Sequence, residues 1–254
     1  MLRYTVFVLN ILWTVCYGYI DIEKYFKVCD RDADDVNDCI AEAVQGGLIT
    51  VADGIKEMGV PPVDPYRQKD LRAEYNNNQI SAKMHMTDIY VHGLKLAKVK
   101  DARLRADDDN FHLEVDIETP RVFVTGQYEG EGRYNSLKIV AKGSFNSTMT
   151  DLVYTWKLDG VPEKKGNETY MRINSFYMRP DVGNMVSYLT NDNPNSKDLI
   201  DLGNRFINSN NNWRLMYREL LPFAQANWNK IGIRVSNKIF LKIPYDQLFP
   251  TSSR

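Results

Sequence analysis

From Gln79 to Tyr188 apolar residues recur at every second position, and that alternation limits what the chain can fold into. Phe111, Leu113, Val115 and Ile117 alternate with His112, Glu114, Asp116 and Glu118. Successive side chains of a strand point to opposite faces, so this segment reads as a strand with one dry face and one wet face. Leu152, Tyr154, Trp156 and Leu158 give a second case, and Ile80, Ala82, Met84 and Met86 a third. After Met86 the apolar phase slips by one, to Ile89 and Val91, which predicts a β-bulge. Asp107–Asn110 and Glu163–Asn167 read as hairpin turns. The result is a run of antiparallel strands whose single apolar face must be covered.

The cover lies on either side in the sequence. Val36, Ile40, Val44, Leu48, Val51 and Ile55 recur at helical spacing within Asp35–Met58. Gly46 and Gly47 interrupt that pattern and weaken it, and the prolines of Gly59–Pro65 end it. Near the C-terminus Trp213, Tyr217, Leu220, Ala224, Trp228, Ile231, Val235 and Ile239 trace one stripe, with Pro222 expected to kink or interrupt it. At ~1.5 Å per residue such a helix is about 40 Å long. A long helix with an apolar stripe and a sheet with one apolar face satisfy each other when the sheet curls around the helix, an α+β arrangement. The 254 residues are enough for one large core.

The first 18 residues read as a secretory signal peptide. Met1-Leu2-Arg3 supplies a positive start, Tyr4–Val15 an apolar run, and Cys16–Gly18 a small-residue cleavage region. The run is shorter than the ~20 residues of a membrane span. Residues 19–254 would then be the mature domain. Of three cysteines, Cys16 falls in the leader, so Cys29 and Cys39 are expected to pair in an oxidising compartment; two separate buried thiols are the alternative. Asn146-Ser-Thr148 and Asn167-Glu-Thr169 are glycosylation sequons. The net charge of −1 implies no broad basic surface for nucleic acid, and no later apolar stretch suggests stable membrane insertion.

Catalytic and metal motifs find little support. No Gly-x-Ser-x-Gly elbow occurs, and only His85, His92 and His112 could serve as imidazole bases. His85 and His112 lie on the wet sides of their strands and read as solvated. Gly130–Asn135 begins like a dinucleotide loop but lacks its final glycine, and reads as a hairpin. Asp30, Asp32 and Asp34 are spaced like a calcium loop, yet its sixth position is Asp35 and its twelfth Ala41. Neither a cofactor nor a metal is expected, and protein partners are not indicated.

Four ordered motifs resemble the takeout and juvenile hormone-binding protein family across the whole mature chain. They are Val60–Pro65 after the first helix, Gly143–Asn146 with Thr148 and Asp151–Trp156, Asn212–Arg214 with Glu219–Pro222, and Asn237–Phe240 running through Ile243–Pro250. The resemblance implies a long helix wrapped by a strongly curved antiparallel sheet around an elongated apolar tunnel. It also implies a secreted insect carrier of juvenile hormone or another hydrophobic ligand, and no enzyme. The chain lacks the second cysteine pair usual in moth hormone carriers, which favours the takeout-like branch. Tyr188–Asn191 departs from the family pattern at one end of the expected tunnel.

Under that reading the tunnel wall would draw on Met84, Met86, Val115, Tyr154, Trp156, Met171, Trp213, Met216, Tyr217, Leu220 and Trp228. Methionine makes adaptable, polarizable walls. Tyr154 and Tyr217 are the candidates to bond a ligand oxygen. The same residues would serve equally well in a filled core. An extracellular partner-binding protein with such a core is the alternative function, and an esterase on hormone esters a weaker one.

Overall fold

The computed structural model describes residues 20–76, 80–134, 137–192 and 197–252. The leader expected at residues 1–18 lies outside them. Helix α1 (Val36–Ala52) precedes seven strands: β1 (Tyr66–Asn76), β2 (Ile80–His92), β3 (Lys98–Ala106), β4 (Phe111–Tyr134), β5 (Leu137–Lys165), β6 (Glu168–Tyr177) and β7 (Asp181–Leu189). Then come α2 (Lys197–Ile207), α3 (Trp213–Phe240) and a short α4 (Tyr245–Leu248).

All seven strands form one antiparallel sheet built on the β4–β5 hairpin, which runs in register from Phe111↔Gly160 to Tyr134↔Leu137. At ~3.4 Å per residue β4 would be roughly 80 Å long if straight, so the pair must curl to keep a common core. Each long strand has two neighbours in series on its outer side. The first part of β4 pairs with β3 and the last with β2, while β5 pairs first with β7 and then with β6. Register slips at Thr87/Tyr90, Val99/Asp101 and Asp159/Gly160 bend the strands further. The first is the bulge expected after Met86, and Asp88 takes φ 46° there.

The expected alternation is present. Phe111, Leu113, Val115, Ile117, Leu152, Tyr154 and Leu158 are buried on one face, joined by Ile40, Leu48 and Trp213 from the helices. Gly232 lets α3 lie against the sheet, since a Cβ there would stand 2.3 Å from the Phe176 ring. At the other end of the core Phe111 meets Phe240 and Phe249, with ring centroids 5.3 Å apart in each case. Among the described residues no helix is long and apolar enough to cross a membrane.

The sheet has four edge strands, and side-chain amides from helices close three of them. On α1, Gln45 accepts from Val99 N–H and donates to the Ala97 carbonyl, while Asn37 accepts from Leu104 N–H, covering β3. On α2, Asn204 and Asn208 each accept from and donate to the backbone of Leu189 and Ser187, covering β7. On α3, Asn237 does the same to Ile173 of β6. An unpaired edge is a template for aggregation, and these amides take the place of a further strand. Only β1 keeps an edge without such an amide among the described residues.

Several expectations change. The first helix stops at Ala52 rather than Met58: Gly54 at φ 80° ends it, and Lys56–Met58 forms a separate 3-10 turn. Gly47, which weakens the helical pattern, packs against the Phe26 ring. Pro222 does not interrupt α3, which runs through it. Gly130–Tyr134 is the end of β4 rather than a turn, and residues 135–136 lie outside the described residues. Helix α2 has no counterpart in the sequence reading.

Candidate functional site

The candidate wall residues fall into three groups. Val115 and Met171 are completely buried: Val115 pairs with Trp156 across β4–β5, and Met171 fills a notch over Gly160. Tyr154 and Trp213 are buried as well, whereas Met84, Met86, Trp156, Met216, Tyr217 and Trp228 are half-buried. Leu220 is 41% exposed while Leu221 is only 8% exposed. Trp213, Tyr217 and Leu221 lie four residues apart, so the inward row follows that spacing and carries Leu221 inward instead. Leu220 therefore leaves the set.

The structure joins part of the set into one surface. Tyr154 and Trp156 have ring centroids 6.3 Å apart, Trp156 and Phe176 6.2 Å, and Phe176 rests on α3 at Gly232. The Trp156 indole N–H reaches Met178 Sδ at 3.2 Å. On the first turns of α3 the Trp213 and Tyr217 rings meet edge to face at 6.3 Å. Met84 and Met86 stand apart on β2, separated from β5 by β4.

Polar atoms within this surface are few. Tyr217 donates to the Pro180 carbonyl at 2.7 Å, and burial, reinforced by Asp181, pushes its phenol up to about 12. The Tyr154 hydroxyl lies 2.9 Å from the Thr119 hydroxyl, both groups buried. Burial raises the Tyr154 phenol too, so it stays neutral at physiological pH. Two hydroxyls sharing one bond use one hydrogen, and the other meets no acceptor among the described residues. The buried Trp213 indole N–H likewise meets no acceptor among the described residues. Buried donors without acceptors are uncommon in native interiors, and each asks for a reason. Thr119 was missed at the sequence level because it sits one step beyond the Phe111–Ile117 alternation and carries no motif.

The opposite face of the sheet is a charge lattice. Arg103 donates to Asp116 at 2.7 Å and to Glu114 at 3.1 Å, and Lys157 donates to Glu114 at 2.7 Å. The Lys157 ammonium, assisted by Arg103, pulls the Glu114 carboxyl down to about 2. His112 bonds Asp159 at 2.7 Å, and His85 bridges Asp70 and Glu129. The two histidines are on the wet face as expected, but each is engaged by carboxylates rather than free in solvent. The Asp30–Asp34 segment is tied to the C-terminus: Ser252 donates to Asp32 from both its N–H and its hydroxyl.

One result follows for His85. Hydrogen bonds that the protonated ring donates to Asp70 and, next in weight, to Glu129 raise its pKa above the ordinary value of about 6.5. A raised folded-state pKa contributes stability that is complete below the unfolded value and is lost as pH rises through the folded one. NMR titration of the imidazole should give a midpoint above the ordinary value, and Asp70→Asn should lower it. A midpoint unchanged by Asp70→Asn would show that the contact does not form in solution.

Cys29 and Cys39 form a disulfide, with Cα atoms 5.8 Å apart, pinning the N-terminal arm to α1. Asn146 and Asn167 are both exposed, the first on β5 and the second in the β5–β6 turn beside Gly166 at φ 62°.

Comparison with known proteins agrees with this architecture. A crystal structure of Takeout 1 from Epiphyas postvittana superposes with a TM-score of 0.70 at 19% identity, covering 88% of this chain and 99% of that one. The circadian clock-controlled protein daywake of Drosophila yakuba is 21% identical over 217 residues, 83% of each chain. Residues 7–250 match the family described as haemolymph juvenile hormone binding protein. The chain belongs to that family.

Proposed function

We propose that this chain is a secreted carrier that takes a small hydrophobic ligand out of water, holding it between the curled sheet and α3. A juvenile hormone-like terpenoid, a fatty acid or another lipid fits the reading, and no catalytic step is assigned. Family membership supports it, and the observation that carries it is the presence of buried donors without acceptors in an apolar setting, Trp213 Nε1 and the surplus hydrogen of the Thr119–Tyr154 pair. A ligand ester, ketone or epoxide oxygen would satisfy either. A chain of ~15 buried carbons at about 0.8 kcal/mol each offers roughly 12 kcal/mol before association costs, enough for micromolar binding or tighter.

Native mass spectrometry of secreted protein, before and after organic extraction and against a panel of terpenoids and fatty acids, tests the reading. Retention or uptake of at least one is expected; no adduct across the panel would overturn it. Tyr154→Phe keeps the ring and removes the hydroxyl. It should weaken an oxygenated ligand several-fold and a plain hydrocarbon hardly at all, and equal effects on the two would remove Tyr154 from selectivity. Glycans at Asn146 and Asn167, and cleavage near Gly18 or Tyr19, belong to the same secretory reading.

A second reading, an extracellular partner-binding protein, is favoured by one feature. Leu199, Leu202 and Phe206 stand exposed along α2. Ligand uptake by the wild-type protein discriminates the two.

A further inference from the structure

The one sheet edge without a helix amide adjoins a half-open groove of about 460 Å³ between α3 and the loop that leads into β1. Its size falls in the range of small-molecule sites. Pro61, Pro62, Pro65 and Val235 give it an apolar lining. The loop forming one wall is held rigidly. The buried Asp64 carboxylate accepts from Gly93 N–H at 3.1 Å and Lys95 N–H at 2.9 Å, and Val63 N–H reaches back to the end of α1. This wall is the Gly59–Pro65 motif: Val60 turns into the core, while Pro61, Pro62 and Pro65 line the groove.

The charge around this groove is one-sided. Its lining residues include Arg67, Arg234 and Lys238 and no carboxylate. Arg67 is spent on Asp88 at 2.6 Å. Arg234 donates one N–H to the Tyr66 hydroxyl at 2.8 Å, and that hydroxyl donates on to Gln68 Oε1 at 3.3 Å. The guanidinium is thus positioned by a neutral oxygen, with most of its five N–H donors left over. Lys238 stands one turn further along α3, over Gly59, and has no acidic partner among the described residues. Like charges four apart on a helix repel, so the pair costs stability where it stands. Attraction to the negative end of the helix accounts for Lys238 in the last turn. It does not account for Arg234, which lies beyond that turn.

We propose that this groove is a headgroup site for a long-chain carboxylate: Arg234 and Lys238 bind the carboxylate, and the proline and Val235 wall takes the adjoining methylenes. The inference rests on the carrier reading and narrows its ligands to long-chain carboxylates. Arginine is suited to forked recognition of a carboxylate, and a concave apolar lining fits one chain better than a flat lipid surface.

The test compares oleate with methyl oleate, which differ only in the charged head. Affinities are measured on wild type, on the double variant Arg234→Gln/Lys238→Gln, and on Lys230→Gln. Lys230 is an exposed cation on α3 outside the groove lining. These exposed positions should leave the circular dichroism spectrum and the melting temperature close to wild type. The expected result is a tenfold or greater loss of oleate affinity in the double variant, less than a twofold change for methyl oleate, and little effect of Lys230→Gln. Oleate binding by the wild type should also weaken with salt. If the wild type binds acid and ester alike and the double variant changes neither, the headgroup site is wrong and the carrier reading stands. If the wild type binds neither, both fail for these chains. Capture of the wild type, but not the double variant, by phosphatidylserine vesicles without oleate uptake would make the basic row a membrane face and overturn the proposal.

Discussion

Replacing Asn204 and Asn208 together by leucine should lower the stability of the fold by about 2–4 kcal/mol and open the β7 edge. Each amide accepts one backbone N–H and donates to one backbone carbonyl of the same strand residue, at 2.7–3.0 Å. Four residues of helix rise ~6 Å and two residues of strand ~6.7 Å, so amides one turn apart meet alternate strand positions. Ser187 is buried, and its unmatched backbone groups cost about 1–3 kcal/mol each. Leucine is close in size and cannot replace the bonds. Urea unfolding reads the loss, and native-state hydrogen exchange should show Ser187 and Leu189 amides freed first. Asn→Asp at the same positions keeps the acceptor and loses the donor, so it should protect those amides better than leucine does. A double leucine variant with wild-type unfolding and unchanged exchange would show that α2 is not held this way.

These helix–edge bonds also show where the sequence was legible. The sheet was legible because burial of one face imposes a two-residue period, visible from Phe111 to Ile117 and again from Leu152 to Leu158. The bulge after Met86 was legible because one extra residue moves every later side chain to the other face. Helix α2 was not. Its apolar residues Leu199, Leu202 and Phe206 face outward, and its attachment runs through asparagines, which in a sequence look like turn formers. The site was half legible. Apolar periodicity selects residues that face inward, but it does not say whether an inward residue meets a partner or an opening. Leu220 and Leu221 are neighbours in a continuous helix, and a change of row from three-residue to four-residue spacing decides which is buried. Thr119 and Arg234 carry no periodic signal, because their roles come from what the fold brings opposite them: the Tyr154 hydroxyl in one case and the Tyr66 hydroxyl in the other.

Met171 and Met84 look alike in the sequence, each an inward methionine on a strand, yet they should respond differently to the same truncation. Met171 is fully buried and seated over Gly160, where a Cβ would come within 2.9 Å of its Cγ, with Ile173 beside it. Met171→Ala removes three side-chain atoms from a filled site that a rigid β5–β6 pair cannot close, so a loss of about 2–5 kcal/mol is expected. Its effect on ligand affinity, measured at a temperature where the variant is fully folded, should be small. Met84 is half-buried on β2 beside Gly130 and has less contact to lose. Met84→Ala should therefore cost well under 2 kcal/mol, because the transfer of a partly exposed side chain is only partly undone. If Met84 belongs to the ligand wall, the same variant weakens binding of methyl oleate while barely moving the urea midpoint. The measurements are the urea midpoint and the methyl oleate dissociation constant for both variants. A stable Met171→Ala with altered affinity would place Met171 on the ligand wall and break the division between core and site drawn here from burial.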